Sequence, residues 1–151
     1  MLHPGDNWFE DAEVGDRYTT GAITITESHI VTFAGLSGDF FDLHMDEQFA
    51  QELGFKGRVA HGLLGLAMVD GLKNRASHRF RAVASLNWRW TFSGPILIGD
   101  RIQGEMTVIA KRETKRPDRG IVTLGFRVTK QDGSLVQQGE NDMMVLRRPS
   151  P

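Results

Sequence analysis

The sequence predicts an α+β fold in which a long antiparallel sheet carries one buried helix across it. Two patterns set that expectation. Four strand-like runs fill the second half, at 82–92, 102–111, 121–130 and 135–146, separated by Gly94-Pro95, Gly99-Asp100, Pro117-Asp118 and Asp132-Gly133. Strands joined through such turn formers fold back on one another, and Asp132-Gly133 specifies a tight hairpin. Residues 62–72 are apolar at nearly all angles of a helical turn, the mark of a helix inside a protein. The first half reads mostly as helix and loop, and that segregation of helix from strand defines the α+β class.

Taken in order, residues 17–26 are rich in Thr and Ile and read as a strand. Thr26 then suits the N-cap of a helix running to about Leu36, with Glu27 favourably placed in its first turn. Gly35, Ser37 and Gly38 crowd the helix end, so 38–44 is expected to be an irregular loop. Asp46 can cap a short helix through Leu53, with Gly54 left-handed after it. The Leu, Ala and Met content of 62–72 favours helix over the alternative of a buried strand. Glycines at 62, 65 and 71 lower its helix propensity, and close packing is the expected return. Trp88 and Trp90 share one face of a strand while Arg89 points the other way, which assigns the tryptophans to a core or a dimer interface.

The 151 residues suffice for one core without covalent support, and a single domain over 1–151 is expected, free of repeats, low-complexity tracts and linkers. Eighteen basic groups against 19 acidic ones give a net charge of −1, which offers nothing to nucleic acid. The absence of cysteine excludes disulfides and thiol nucleophiles. No apolar stretch reaches the roughly 20 residues of a membrane span, and the first residues lack the basic and apolar parts of a signal peptide. A cytoplasmic protein with no membrane partner is the expectation.

Chemistry concentrates in Ser37-Gly38-Asp39-Phe40-Phe41-Asp42-Leu43-His44. On a continuous helix Asp39 and His44 would face different ways, whereas a glycine-bounded loop lets them converge. Phe40, Phe41 and Leu43 would then surround a carboxylate and an imidazole suited to holding a water and moving its proton. Each residue also has a plain structural reading, Asp39 as a turn residue and His44 as a satisfied histidine. Asp42 and Asp46 are read as turn and cap. The second feature is Ala60-His61-Gly62 at the start of the buried helix, where free N–H groups can stabilise a developing oxyanion. His61 as a simple cap, with Gly62 relieving crowding, is the alternative there.

Together Gly38-Asp39, His44 and Ala60-His61-Gly62 resemble the MaoC-like dehydratase and R-specific enoyl-CoA hydratase family. So does the segment from Phe92 through Gly94-Pro95 to Gly99-Asp100, in the same order, and the likeness runs from about Phe9 to Leu146. The resemblance implies a hot-dog fold, a sheet wrapped around a central helix, in a homodimer or higher homo-oligomer with continuous sheets. It implies Asp39 as general base, His44 as the group that orients the water, and the Gly62 amide as oxyanion donor. The implied reaction is reversible hydration of a trans-2-enoyl-CoA to a 3R-hydroxyacyl-CoA, with the CoA thioester as substrate and no cofactor or metal. His61, Phe41, Asp70 and Arg58 are the residues expected against the substrate; Lys56, Arg79, Arg81 and Arg89 join Arg58 as basic candidates for the CoA phosphates.

Two departures stand out: Phe41 and Asp42 replace the family's Asn and Pro, and Asp70 stands about where R-specific hydratases often carry serine. These bear on substrate more than on fold. Three rival readings of the same residues are a hot-dog thioesterase, a non-catalytic acyl-CoA binder, and a metal site built from Asp39, His44, Asp46 and His61.

Overall fold

Alternation of apolar and polar residues decides which face of each strand turns inward. In the computed structural model, which describes residues 1–149, the strands are β1 (Gly5–Asn7), β2 (Arg17–Thr24), β3 (His78–Phe80), β4 (Ala82–Phe92), β5 (Arg101–Glu113), β6 (Arg119–Thr129) and β7 (Leu135–Leu146). The helices are α1 (Glu27–Ser37), α2 (Asp42–Met45), α3 (Glu47–Glu52) and α4 (Gly62–Asn74). Five strands form one sheet in the order β2-β5-β6-β7-β4, antiparallel at each pairing, and β1 pairs with β3 in a small parallel ribbon. The β6–β7 hairpin turns at Asp132-Gly133, where Gly133 takes φ 83° and the Lys130 amide donates to Ser134.

Along β5, Ile102, Gly104, Met106 and Val108 face inward, while Arg101, Gln103 and Glu105 face solvent. Val122, Leu124, Phe126 and Val128 continue that inner surface on β6. α4 lies across β2 and β5, with Val69 fully buried against Gly104. Each such aliphatic side chain stabilises the fold by about 1.5–3 kcal/mol. Trp88 and Trp90 pack on Phe126 from β4, with ring centroids at 5.3 and 5.5 Å.

Two expectations are corrected. α4 is buried on one side only: Leu64, Gly65, Val69 and Leu72 face the core, whereas Leu63, Ala67 and Gly71 are exposed. A single chain supplies just one sheet face to cover it. Close packing accounts for Gly62 and Gly65, whose added Cβ atoms would strike Phe92 at 2.7 Å and Gln137 at 2.4 Å, but not for Gly71, which has open space beside it. The second correction concerns 38–44, which is irregular only as far as Phe41. The Asp46 amide donates to Asp42 at 2.8 Å and closes the short helix α2, so His44 projects from a helical turn. No helix among the described residues is long and apolar enough to cross a membrane.

Candidate active site

Gly38 ends α1 in the left-handed conformation at φ 79°, its amide donating to Ala34 at 2.8 Å. That reversal, open to glycine at little steric cost, releases the chain toward α2. The Asp39 amide donates to Ser37 Oγ at 3.2 Å, and the Phe41 amide donates to Asp39 Oδ1 at 3.2 Å. One carboxylate oxygen is thus held by backbone and the other, Oδ2, points at His44. The five-residue separation converges because the chain breaks at Phe41 before α2 begins.

His44 Nδ1 lies 2.7 Å from the Val59 carbonyl. A carbonyl only accepts, so Nδ1 carries the proton and, in the neutral ring, Nε2 is left as an acceptor. Nε2 stands 3.8 Å from Asp39 Oδ2, too far for a direct hydrogen bond and the right span for one water donating to both. A water that spends both protons on Asp39 and His44 presents its lone pairs outward. His44 is 12% exposed and Asp39 52%. Phe40 and Phe41 are both more than half exposed, so the expected apolar enclosure of the carboxylate is not formed by them.

The facing wall is the segment after β4. The Ala60 amide donates to the Ile96 carbonyl at 2.7 Å, and Val59 bridges Leu97. Asp100 locks this segment: its carboxylate accepts from the Leu97 amide at 2.8 Å, from Gln131 at 2.9 Å and from Lys130 at 3.0 Å. Partial burial would raise the Asp100 pKa, but these donors from Gln131, Leu97 and Lys130 outweigh it and hold the carboxyl below the usual carboxylate range. Between the walls lies a cleft of about 320 Å³ lined by Leu43, His44, Gly62, Leu63, Phe92 and Gln137, among others. Gly62 is the first residue of α4, so its amide has no partner within the helix.

His44 and Gly62 therefore line one cleft, with the Asp39 carboxylate beside it, 3.8 Å from His44. His61 occupies the N-cap position of α4 but its side chain makes no capping bond; it is buried, its Nε2 donates to the Asp39 carbonyl at 2.8 Å, and its ring stacks on His44 at 3.8 Å. That places it behind the pair, as a support. Phe41 stands edge-on to His44 at 6.1 Å. Arg58 is turned to protein: Nε donates to the His44 carbonyl at 2.8 Å and Nη1 pairs with Glu27 at 2.6 Å. Asp70 lies about two turns along α4 from Gly62, paired with the buried Lys73 at 2.6 Å and away from the residues lining the cleft. Of the other basic candidates, Arg79 pairs with Asp6 and Arg89 with Glu140 and Asp142, Arg81 stacks over Trp8, and Lys56 is exposed.

Asp39, His44 and His61 also offer ligand atoms within 4.8 Å of one another. The two imidazoles are stacked with planes 26° apart, so their in-plane lone pairs run side by side instead of converging. Asp46, the fourth expected ligand, caps α3 through the Gln48 and Phe49 amides. The geometry thus suits proton handling better than metal coordination.

Gln137 is the site residue that sequence reasoning missed. It is 2% exposed on β7, directly after the equally buried Val136. Two consecutive buried positions break strand alternation, which with Val136 inward would have pointed to Gln138, so the sequence carried no signal for it.

A helix end and an Asp–His pair facing one cleft under an antiparallel sheet define a hot-dog protein with a hydratase-like site. The MaoC like domain family matches residues 10–129, and the chain belongs to that family. It is 34% identical over 143 residues to the (R)-specific enoyl-CoA hydratase of Rhodospirillum rubrum, covering 94% of each chain. The crystal structure of a MaoC-like dehydratase from the same organism superposes with a TM-score of 0.83 at 29% identity, over 95% of this chain and 99% of that one. A Mycobacterium tuberculosis protein with a double hot-dog fold matches at a TM-score of 0.86 and 19% identity, over 97% of this chain and 46% of that one, a likeness of fold.

Proposed function

We propose that the protein is an acyl-CoA hydratase that reversibly adds water to a trans-2-enoyl-CoA, giving the 3R-hydroxyacyl-CoA. The observation that carries this is the 3.8 Å gap between Asp39 Oδ2 and His44 Nε2, a water-sized span beside the unpartnered start of α4. The hydratase relative of Rhodospirillum rubrum supports it over nearly the whole chain.

In this reading the water donates to Asp39 and His44, and its oxygen attacks C3 of the enoyl group. One water O–H bond breaks and its proton passes to Asp39, the general base, with His44 fixing the direction of attack. Electron density moves through C2 onto the thioester oxygen, to which the Gly62 amide donates a hydrogen bond, and Asp39 then passes the proton it took from water to C2, so that H and OH have added across the double bond. Proton transfer of this kind contributes about 10²–10⁴ in rate, and an oxyanion donor about 10²–10³. The chemistry needs no cofactor. Phe41 stands edge-on beside His44, where it can meet the substrate, and exposed Lys56 is the basic candidate left to meet a CoA phosphate. The chain works as a homodimer in the cytoplasm, where CoA thioesters are available.

The test is loss of absorbance at the conjugated enoyl-thioester band with trans-2-enoyl-CoA substrates of graded length. Wild type should react, while Asp39→Asn and His44→Ala lose roughly 10²-fold or more with the fold intact by circular dichroism. Undiminished turnover by Asp39→Asn removes the proposed base. Thiol release from saturated acyl-CoA with no hydration would make the protein a thioesterase, and binding without either reaction would make it a carrier.

A further inference from the structure

Gly62 begins α4, and its carbonyl, which a helix of this length would ordinarily satisfy further along, also receives a hydrogen bond from across the cleft. Gln137 Nε2 donates to it at 2.9 Å. Gln137 Oε1 in turn accepts from the Trp90 indole N–H at 3.1 Å. A donor-only indole fixes which end of the amide faces Gly62, so the side chain is oriented from both ends. Room for this contact comes from Gly65, since a Cβ there would lie 2.4 Å from Gln137 Nε2. Three elements, β4, β7 and α4, therefore meet in one partly buried chain of hydrogen bonds at the first turn of the helix.

We propose that Gln137 is a positioning residue for the reaction: it holds the first turn of α4 against the sheet, so that the Gly62 amide is aimed at the thioester oxygen. This rests on the hydratase reading above. Gln137 gives up no proton; its effect passes from the Gly62 carbonyl that it anchors, across the Gly62 Cα, to the neighbouring peptide that carries the Gly62 N–H. Oxyanion donors act by being fixed before charge develops, so loosening the turn should lower kcat with little change in KM.

The variants are Gln137→Met, which keeps length and loses both bonds, Gln137→Glu, which is isosteric, and Trp90→Phe, which leaves Gln137 in place without its orienting donor. Each is assayed for enoyl-CoA hydration from pH 5.5 to 8, with circular dichroism as a check on folding. Gln137→Met should lose about 10–10²-fold in kcat, a part of what removal of the donor itself costs, with KM within threefold. Trp90→Phe should lose less, again in kcat.

Gln137→Glu is the decisive variant, because only a protonated carboxyl can donate to the Gly62 carbonyl. Its kcat relative to wild type at the same pH should rise at least fivefold from pH 8 to pH 5.5, which a merely structural role does not produce. If Gln137→Met misfolds, this ratio still decides. A flat ratio at a low value overturns the proposal, as does a Gln137→Met enzyme with wild-type kcat or a loss confined to KM. Failure of the hydratase reading is separately visible as an inactive wild type.

Discussion

A methyl group added at Gly65 would meet Gln137 Nε2 at 2.4 Å and Ile96 Cδ1 at 3.0 Å. Alanine is favoured over glycine in a helix by about 1 kcal/mol, but overpacking a filled site costs about 1–3 kcal/mol. Gln137 cannot yield cheaply, since Trp90 and Gly62 hold both ends of its amide. Gly65→Ala should thus be destabilised by a net of about 1 kcal/mol, read as a lower urea midpoint, and a more stable variant would show that Gln137 moves freely. His61→Phe makes a complementary test: it keeps an aromatic ring on His44 and loses the bond to the Asp39 carbonyl. A buried hydrogen bond is worth about 1 kcal/mol, so kcat should fall about fivefold to tenfold; unchanged kcat would make His61 packing alone. At this scale the nearness of Asp39 to His44 and the place of Gly62 at the start of α4 were legible because each lies in a short local motif. The Val59 carbonyl that sets the His44 tautomer was not, since every residue has a carbonyl. The burial of Arg58 in contacts with His44 and Glu27 depended on tertiary neighbours that spacing does not encode.

On the outer side of β4 and β7, Asp142 accepts from Thr123 at 2.7 Å, from Asn87 at 2.8 Å and from Arg89 at 3.3 Å. The Arg89 hydrogen bond first, then those of Asn87 and Thr123, hold its carboxyl well below the usual carboxylate range. A carboxyl whose folded pKa is depressed binds protons more readily in the unfolded chain. Its stabilisation is complete above the ordinary value of about 4 and is lost as pH falls through the lowered folded value. The urea midpoint of wild type should therefore drop between pH 6 and pH 3 more than that of Asp142→Asn, and parallel drops would show that the cluster does not stabilise the strand pair. β4 and β7 were readable to the residue because ten or more alternating positions bounded by turn formers leave little freedom. α2 was not, since four residues closed by one hydrogen bond show no periodicity, and the three-residue strands β1 and β3 were equally silent.

For the molecule as a whole, β4 is the element whose sequence and surroundings disagree. It is eleven residues long, carries Val83, Leu86, Trp88, Trp90 and Phe92, pairs with β7 alone among the described strands, and has no buried residue. Val83, Leu86 and Phe92 are 49%, 43% and 51% exposed, and Leu63 is exposed on α4. A long apolar edge strand left open invites pairing with other chains, and natural proteins blunt such edges with charge, proline or cover. β4 has no proline, and its one charged side chain, Arg89, is engaged with Glu140 and Asp142 on its own sheet. A second copy offers the same edge, and a two-fold axis would pair the strands and cover both apolar surfaces at once. Phe92 and Leu63 also line the cleft that holds His44, so closing this face would narrow its mouth. The protein should sediment as a dimer at micromolar concentration. Leu86→Lys, a charge on the edge but outside the cleft lining, should shift it toward monomer and reduce hydration in proportion. Monomeric wild type with full activity would show that the cleft is complete in one chain and that β4 tolerates water along its whole length.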